Sequence, residues 1–415
     1  MTRLRGCSLA FVAAFLLRTG TAHAAWTETA LYVFASPAGG TTPYAPVFLD
    51  AAGNLYGTTS DGGAERFGTV FKLTRGGAAR APWTETVLHS FVGKADGTFP
   101  VAGVIVDADG NVYGTSEYGG ASGNGVIFEL KRREASASGW TETILHSFDP
   151  DADGKQCTAG LVFDAAGNLY GTASTGGPAN NGTVFKLARP TDGHSAWEMT
   201  LLDTFLDPSG GINPATGVIF DKTGNLYGTS TRGGVLQAGT VFKLSPPAGG
   251  KGDWTKTVIY SFSGGADGAS PRSLTLDEAG NLFGVTSEGG ATGHGTVFKL
   301  TPPTQANGTW TKTLLYAFAG AADGEAPKGG VVLNAAGTIY GTTSGGGKIN
   351  AGTVFALTPS ASGLGGWMKT ILTDFSGQPG TNPYAGVILG PQGELYGITT
   401  DGVAASDGAV FRLRQ

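Results

Sequence analysis

The sequence predicts an all-β ring, a seven-bladed propeller with four strands per blade. Three observations predict it: an excess of turn residues, a seven-fold recurrence of tryptophan, and chain ends that each hold part of one repeat. The 415 residues include 71 Gly and 20 Pro, whereas charged residues reach only 14%. Gly costs about 1 kcal/mol and Pro about 3 at a helical position, so this balance opposes a helical protein. With 40% hydrophobic and 10% aromatic residues there is apolar surface for a large core, which argues against a disordered Gly-rich polymer. The formal charge of −5 offers no basic excess for nucleic acid.

Residues 1–24 read as a secretory signal peptide. Arg3 and Arg5 form a positive start, Leu9 to Leu17 an apolar run, and Ala22-His23-Ala24 a small-residue cleavage site. The run is too short for a stable membrane span. Cleavage after Ala24 removes Arg3, Arg5 and Arg18 from the 27 basic residues, and against 32 acidic ones this leaves a net charge of −8. Cys7 lies before the apolar run and leaves with it, so Cys157 stays unpaired and packing alone must stabilise the remainder.

Residues 25–415 form one repeat array. Trp26, Trp83, Trp140, Trp197, Trp254, Trp310 and Trp367 recur at spacings of 57 residues, with a single 56. Each unit holds four short runs rich in β-branched and aromatic residues, the composition of one propeller blade. The order within a blade is A (GVIFD), B (NLYGTTS), C (GTVFKL) and D (WTETVLYSF). The C-terminus then supplies A, B and C of blade 7, and residues 26–34 supply its D, closing the ring without exposed edges. Strand A, nearest the axis, repeats a small residue in register at Gly103, Gly160, Gly217, Gly330 and Gly386. On rim strand D one position carries Glu28, Glu85, Glu142, Met199, Lys256, Lys312 and Lys369, expected to form a solvated face that protects the edge.

The G-N-L-Y-G-T-T unit followed by G-T-V-F-K-L resembles the GloVer (Gloeo-Verruco) tandem repeat of exported bacterial proteins. It stands clearest at Gly53–Gly57, Gly167–Gly171 and Gly224–Gly228, and weakest at Gly337–Tyr340 and Gly393–Tyr396. The order of glycine pair, aromatic and tryptophan is also similar to kelch repeats, which form propellers. The resemblance implies a surface or extracellular place, often with a C-terminal sorting anchor. This chain departs there, ending at Gln415 without one, so release to periplasm or medium is expected. The family transfers no catalytic motif.

The recurrent polar residues point to turns. Asp50, Asp107, Asp164, Asp221 and Asp277 open D-x-x-G-N, where the carboxylate can bond turn amides and the glycine can take positive φ. Asp96, Asp153, Asp267 and Asp323, each followed by Gly, precede the strand-A proline position by four residues and read as a second turn series. His89 and His146 occupy the place of Tyr32, Tyr260 and Tyr316 and read as rim aromatics. His194 and His294 lack any metal-ligand spacing, so neither a metal nor a cofactor is expected.

Chemistry is sought where the repeats disagree. The D–A and B–C loops share one face and vary strongly, which marks that face for binding. It carries Asp61, Glu65, Arg66, Glu117, Tyr118, Arg232, Glu288, Lys348 and Asp401. Directly after the proline position the blades carry Tyr44, Val101, Thr158, Ala215, Arg272, Lys328 and Tyr384. Blades 5, 6, 7 and 1 thus set Arg272, Lys328, Tyr384 and Tyr44 in one arc at the channel mouth, a candidate ligand site. The favoured function is a monomeric, exported binding module for glycans or acidic cell-envelope material. A rival is a polysaccharide lyase or hydrolase using Glu117, Glu288 or Asp401, for which carboxylates about 5 to 9 Å apart would argue. A third is a structural envelope protein without a small ligand.

Overall fold

The computed structural model describes residues 25–415 apart from 78–80, 134–138, 192–195, 251, 306–307, 361–365, 378–379 and 403–406. The expected leader and His194 lie outside the described residues. Among those described, no helix is long and apolar enough to cross a membrane.

Seven four-stranded antiparallel sheets form the ring. Blade 1 comprises Phe48–Leu49 (A), Leu55–Thr59 (B), Thr69–Arg75 (C) and Trp83–Ser90 (D), and blades 2 to 6 repeat this order. In blade 7, strands A to C come from the C-terminus and strand D is Thr27–Val33, paired with Ala409–Arg414. The N-terminal strand therefore closes the ring.

Strand A is shorter than the GVIFD run suggested. In six blades only two of its residues pair with strand B, because the chain before them turns toward the axis, where backbones crowd. A Cβ on Gly329 would lie 1.9 Å from the Gly386 nitrogen. Blade 5 is the exception: its strand A spans Ala269–Leu276, with a register shift between Pro271 and Leu274.

The core sits between blades. The phenylalanine closing strand D of one blade meets edge-on the strand-C phenylalanine of the next. This pair recurs at all seven seams, from Phe34–Phe71 (5.1 Å) to Phe375–Phe411 (5.2 Å). Such contacts add about 0.5–1.5 kcal/mol beyond area burial. Strand-B glycines make room for the rings: a Cβ on Gly228 would stand 2.5 Å from Phe242 Cζ. At the A–B turns the expected carboxylate role is visible. Asp50 accepts from the Asn54 amide (2.8 Å) and Asn54 side chain (2.7 Å), and Tyr56 donates its hydroxyl to it (3.2 Å).

Candidate functional site

The variable face opens into an axial funnel of about 600 Å³ lined by all seven blades. Its wall is set by a backbone device. Two residues before each lining side chain stands one in the left-handed region: Thr42, Phe99, Gln156, Asn213, Ser270, Ala326 and Asn382, with φ between 49° and 59°. For residues other than Gly this costs roughly 1–2 kcal/mol. The conformation is held because each of these amides donates to a B–C loop carbonyl of the preceding blade, as Ser270 does to Ala238 (3.0 Å) and Ala326 to His294 (3.0 Å). Strand-B threonines staple the same segments from the preceding blade, as Thr342 does by donating to the Ala385 carbonyl (2.8 Å). Val285 and Ile398 replace that threonine in blades 5 and 7, so the segments bearing Lys328 and Tyr44 rest there on apolar packing instead.

The four residues of the expected arc all line this funnel and are half-buried. Lys328 Nζ lies 4.6 Å from the centre of the Tyr384 ring, and Tyr384 meets Tyr44 edge-on at 5.0 Å. Arg272 projects from the irregular register of strand A in blade 5, and its Nε donates to Ser287 Oγ (3.3 Å). No carboxylate of the described residues lies within ion-pair reach of either cation. Burial, then the neighbouring Tyr384 and Asp401, push the Tyr44 hydroxyl up, so it remains a hydrogen-bond donor. The opposite wall carries Phe99, Val101, Thr158 and Ala215. The funnel is thus polarised, with cations and phenols on one side and, on the other, apolar or small groups together with Glu117, whose amide donates to the Phe99 carbonyl.

The three carboxylates of the rival reading are dispersed over blades 2, 5 and 7. Glu117 lines the funnel and is the single acid among its described lining residues. Glu288 ends strand B of blade 5, opposite Ala269, and Asp401 accepts from the Asn382 side chain (3.1 Å).

The model of the Gloeobacter/Verrucomicrobia repeat matches residues 17–203 and 192–411. The chain belongs to this repeat family. No curated protein matches the sequence. Among solved structures, a protein provisionally described as a 6-phosphogluconolactonase from Bacteroides uniformis is similar at 14% identity and TM-score 0.51, over 84% of this chain and 88% of that one. The extracellular domain of a provisionally described one-component system from B. thetaiotaomicron is similar at 9% identity and TM-score 0.51, over 92% of this chain and 39% of that one. At such identities the likeness is one of fold.

At the rim of this Gloeobacter/Verrucomicrobia repeat ring the structure corrects the sequence reading. The acids and lysines of strand D are not solvated; they lie beneath the preceding blade. Lys312 and Lys369 side chains are only 7% and 5% exposed and bond Asp267 (2.6 Å) and Asp323 (2.9 Å), while Lys256 bonds Asp203 (2.6 Å). Glu85 accepts from the Tyr32 hydroxyl (2.7 Å) and Glu28 from Thr373 (2.5 Å). Burial holds both glutamates above the usual carboxylate range, and the hydroxyl bonds offset part of that rise. The reason is strand parity: the position two residues after each tryptophan shares the tryptophan's face, and that face packs on the preceding blade, as Trp197 does on Tyr113 (6.2 Å). His89 and His146 do stack edge-on against Phe91 and Phe148 as Tyr32 does against Phe34. The sequence reading missed what the fold brings to His89, namely Asp96 from the D–A turn and Glu142 from the next blade.

Proposed function

We propose that the protein is an exported binding module whose axial funnel takes an anionic saccharide, a sugar chain bearing carboxylate or sulfate groups. The supporting observation is the contiguous arc of Arg272, Lys328, Tyr384 and Tyr44, with both cations free of carboxylate partners among the described residues. Arg matches a planar carboxylate with two parallel hydrogen bonds, and Lys adds a point charge. The tyrosines offer flat apolar faces and hydroxyls to a sugar ring. The apolar wall of Phe99 and Val101 suits the less polar face of the same ligand. The order of basic, apolar and small-residue segments in residues 1–24 supports export.

A glycosidase needs two cooperating carboxylates, and the described lining of the funnel presents Glu117 alone. Binding is therefore favoured over hydrolysis. The test is titration of the purified protein with uronic-acid and sulfated oligosaccharides and their neutral counterparts, with a reducing-end assay alongside. Acidic sugars should bind and neutral ones should not. Arg272→Ala and Lys328→Ala should each weaken binding by about 1.5–3 kcal/mol per lost charged hydrogen bond, with Tm unchanged. Release of reducing ends would favour the enzyme reading. Affinity indifferent to both substitutions and to Tyr44→Ala and Tyr384→Ala would move the site elsewhere.

A further inference from the structure

The seam between blades 1 and 2 differs from the other six in its charge. Where a D–A turn or strand D presents an aspartate to the seam, the facing strand-D position of the next blade holds a lysine at three seams: Asp203 with Lys256, Asp267 with Lys312, Asp323 with Lys369. Where that position holds glutamate at seams 6/7 and 7/1, it faces a neutral hydroxyl, Thr373 or Tyr32. At seam 2/3, Asp153 pairs with His146 (2.8 Å) and the facing position is Met199. Only at seam 1/2, among the described residues, does a second carboxylate face the aspartate. Glu142 occupies the lysine's place opposite Asp96, with His89 between them.

The geometry of this cluster is that of a metal-binding half-shell. His89 Nε2 lies 3.1 Å from Asp96 Oδ2 and 3.5 Å from Glu142 Oε2, and all three ligand atoms fall within 4.8 Å of one another. Zinc bound tetrahedrally to nitrogen and oxygen at about 2.0–2.2 Å sets its ligand atoms roughly 3.3–3.6 Å apart, so little rearrangement is needed. The side chains are only 12–20% exposed. Glu142 Oε1 is buried without a hydrogen-bond partner, as are Glu28 Oε1 and Glu85 Oε1 at the equivalent position of two other blades, so what sets this seam apart is the imidazole and second carboxylate beside it. Asp96 is already oriented, accepting from the Val92 and Gly93 amides. A divalent cation held by a neutral imidazole would neutralise both half-buried carboxylates at once.

We propose that this seam is a divalent-metal site in which His89 Nε2, Asp96 Oδ2 and Glu142 Oε2 hold a zinc-type ion, with water completing the shell. The ion supplies the positive charge that Lys256, Lys312 and Lys369 supply at their own seams, and it ties blade 1 to blade 2 at the rim. The site lies on the outer strands, whereas the saccharide funnel lies on the axis, so the two proposals stand or fall separately.

The experiment uses the untagged protein stripped with EDTA and then titrated with zinc by calorimetry and thermal melting at neutral pH. One equivalent should bind, and Tm should climb with the logarithm of free zinc. Cobalt in its place should give the intense visible absorption of a tetrahedral ion. His89→Ala should abolish binding, whereas His146→Ala should keep it. Glu142→Lys separates folding from ligation, because it rebuilds the lysine–aspartate pairing of the other seams. That variant should melt in EDTA no lower than the stripped wild type and should ignore zinc. The proposal is overturned if the wild type takes up no zinc, or if Glu142→Lys and His89→Ala bind it as the wild type does.

Discussion

The closing strand offers the sharpest test of how this ring is held. Thr27–Val33 joins blade 7 through six register pairs with Ala409–Arg414. It inserts Leu31, 9% exposed, into a cluster with Tyr396, Ile398 and Val410 of blade 7 and Val47 and Phe71 of blade 1. Leu88 is its counterpart in blade 1, where strand D is covalently continuous with its own blade and the side chain is 3% exposed. If the N-terminal strand is as firmly seated as an internal one, Leu31→Ala and Leu88→Ala should each cost about 2–5 kcal/mol, with Leu31→Ala at the lower end because it is slightly more exposed. Urea unfolding followed by tryptophan fluorescence reports on every blade at once, since each carries one tryptophan. Removing residues 25–33 altogether should cost more than either substitution. It should also bare the strand-C edge of Ala409–Arg414, and a peptide of residues 25–36 added in excess should recover stability by mass action. The closure has a functional corollary, because Tyr44 and Tyr384 meet across this seam at 5.0 Å. The truncated protein should therefore bind the proposed saccharide more weakly. A Leu31→Ala cost well below 1 kcal/mol beside a full cost for Leu88→Ala would refute the reasoning, since the ends would then touch without cooperating.

Three further outcomes follow from the seams. Gly228→Ala pushes a methyl to 2.5 Å from Phe242 Cζ and should cost about 1–3 kcal/mol; Phe242→Leu should cost less in that background than alone, which a double-mutant cycle in urea would measure. Burial raises the folded-state pKa of Glu85, with the Tyr32 bond opposing it, so its ionisation costs stability as pH rises above the unfolded value of about 4.3. Glu85→Gln should then melt higher than the wild type at pH 7, with the difference vanishing near pH 4. For Asp323 burial acts upward, but the Ala319 amide, Lys369 and the Tyr316 hydroxyl outweigh it and lower its pKa. Its contribution is present above the unfolded value of about 3.9 and is lost as pH falls through the lower folded value, so Asp323→Asn should flatten the acid limb of the stability profile below pH about 4.

The blade order and the closing strand were legible because tandem repetition fixes register: a residue's place in the unit gives its place in the blade. The arc of Arg272, Lys328, Tyr384 and Tyr44 was legible for the same reason, since seven equivalent positions must converge on the axis. The rim was not, because whether a strand-D side chain meets water or a neighbouring blade depends on how the blades overlap. The signal was nevertheless present, as Glu85 and Lys312 share parity with tryptophans that no soluble rim would expose. The left-handed residues left little trace in composition: Asn213 and Asn382 are of the type that most readily takes positive φ, but the other five give no such signal. Thr42, Phe99, Gln156, Ser270 and Ala326 share no side-chain property, because tertiary hydrogen bonds rather than local preference hold them there.

That same device explains why the funnel can vary. Each lining side chain is aimed by a backbone clamped from the preceding blade, through an amide bond at the left-handed residue and, in five blades, a threonine bond to the segment itself. None of those bonds involves the lining side chain. Replacing Ala215 by the Arg of position 272, or Arg272 by Ala, alters the chemistry of the mouth while leaving the amide and threonine bonds in place, although Arg272 also reaches Ser287, which donates to the carbonyl of the left-handed Ser270. The rim obeys the opposite rule, since Lys312 is simultaneously partner to Asp267 and cover for the Phe262 ring at 5.2 Å, and a change there must be answered across the seam. Recognition in this ring is therefore free to diverge at the axis, while charge pairing at the rim constrains which blades can stand side by side.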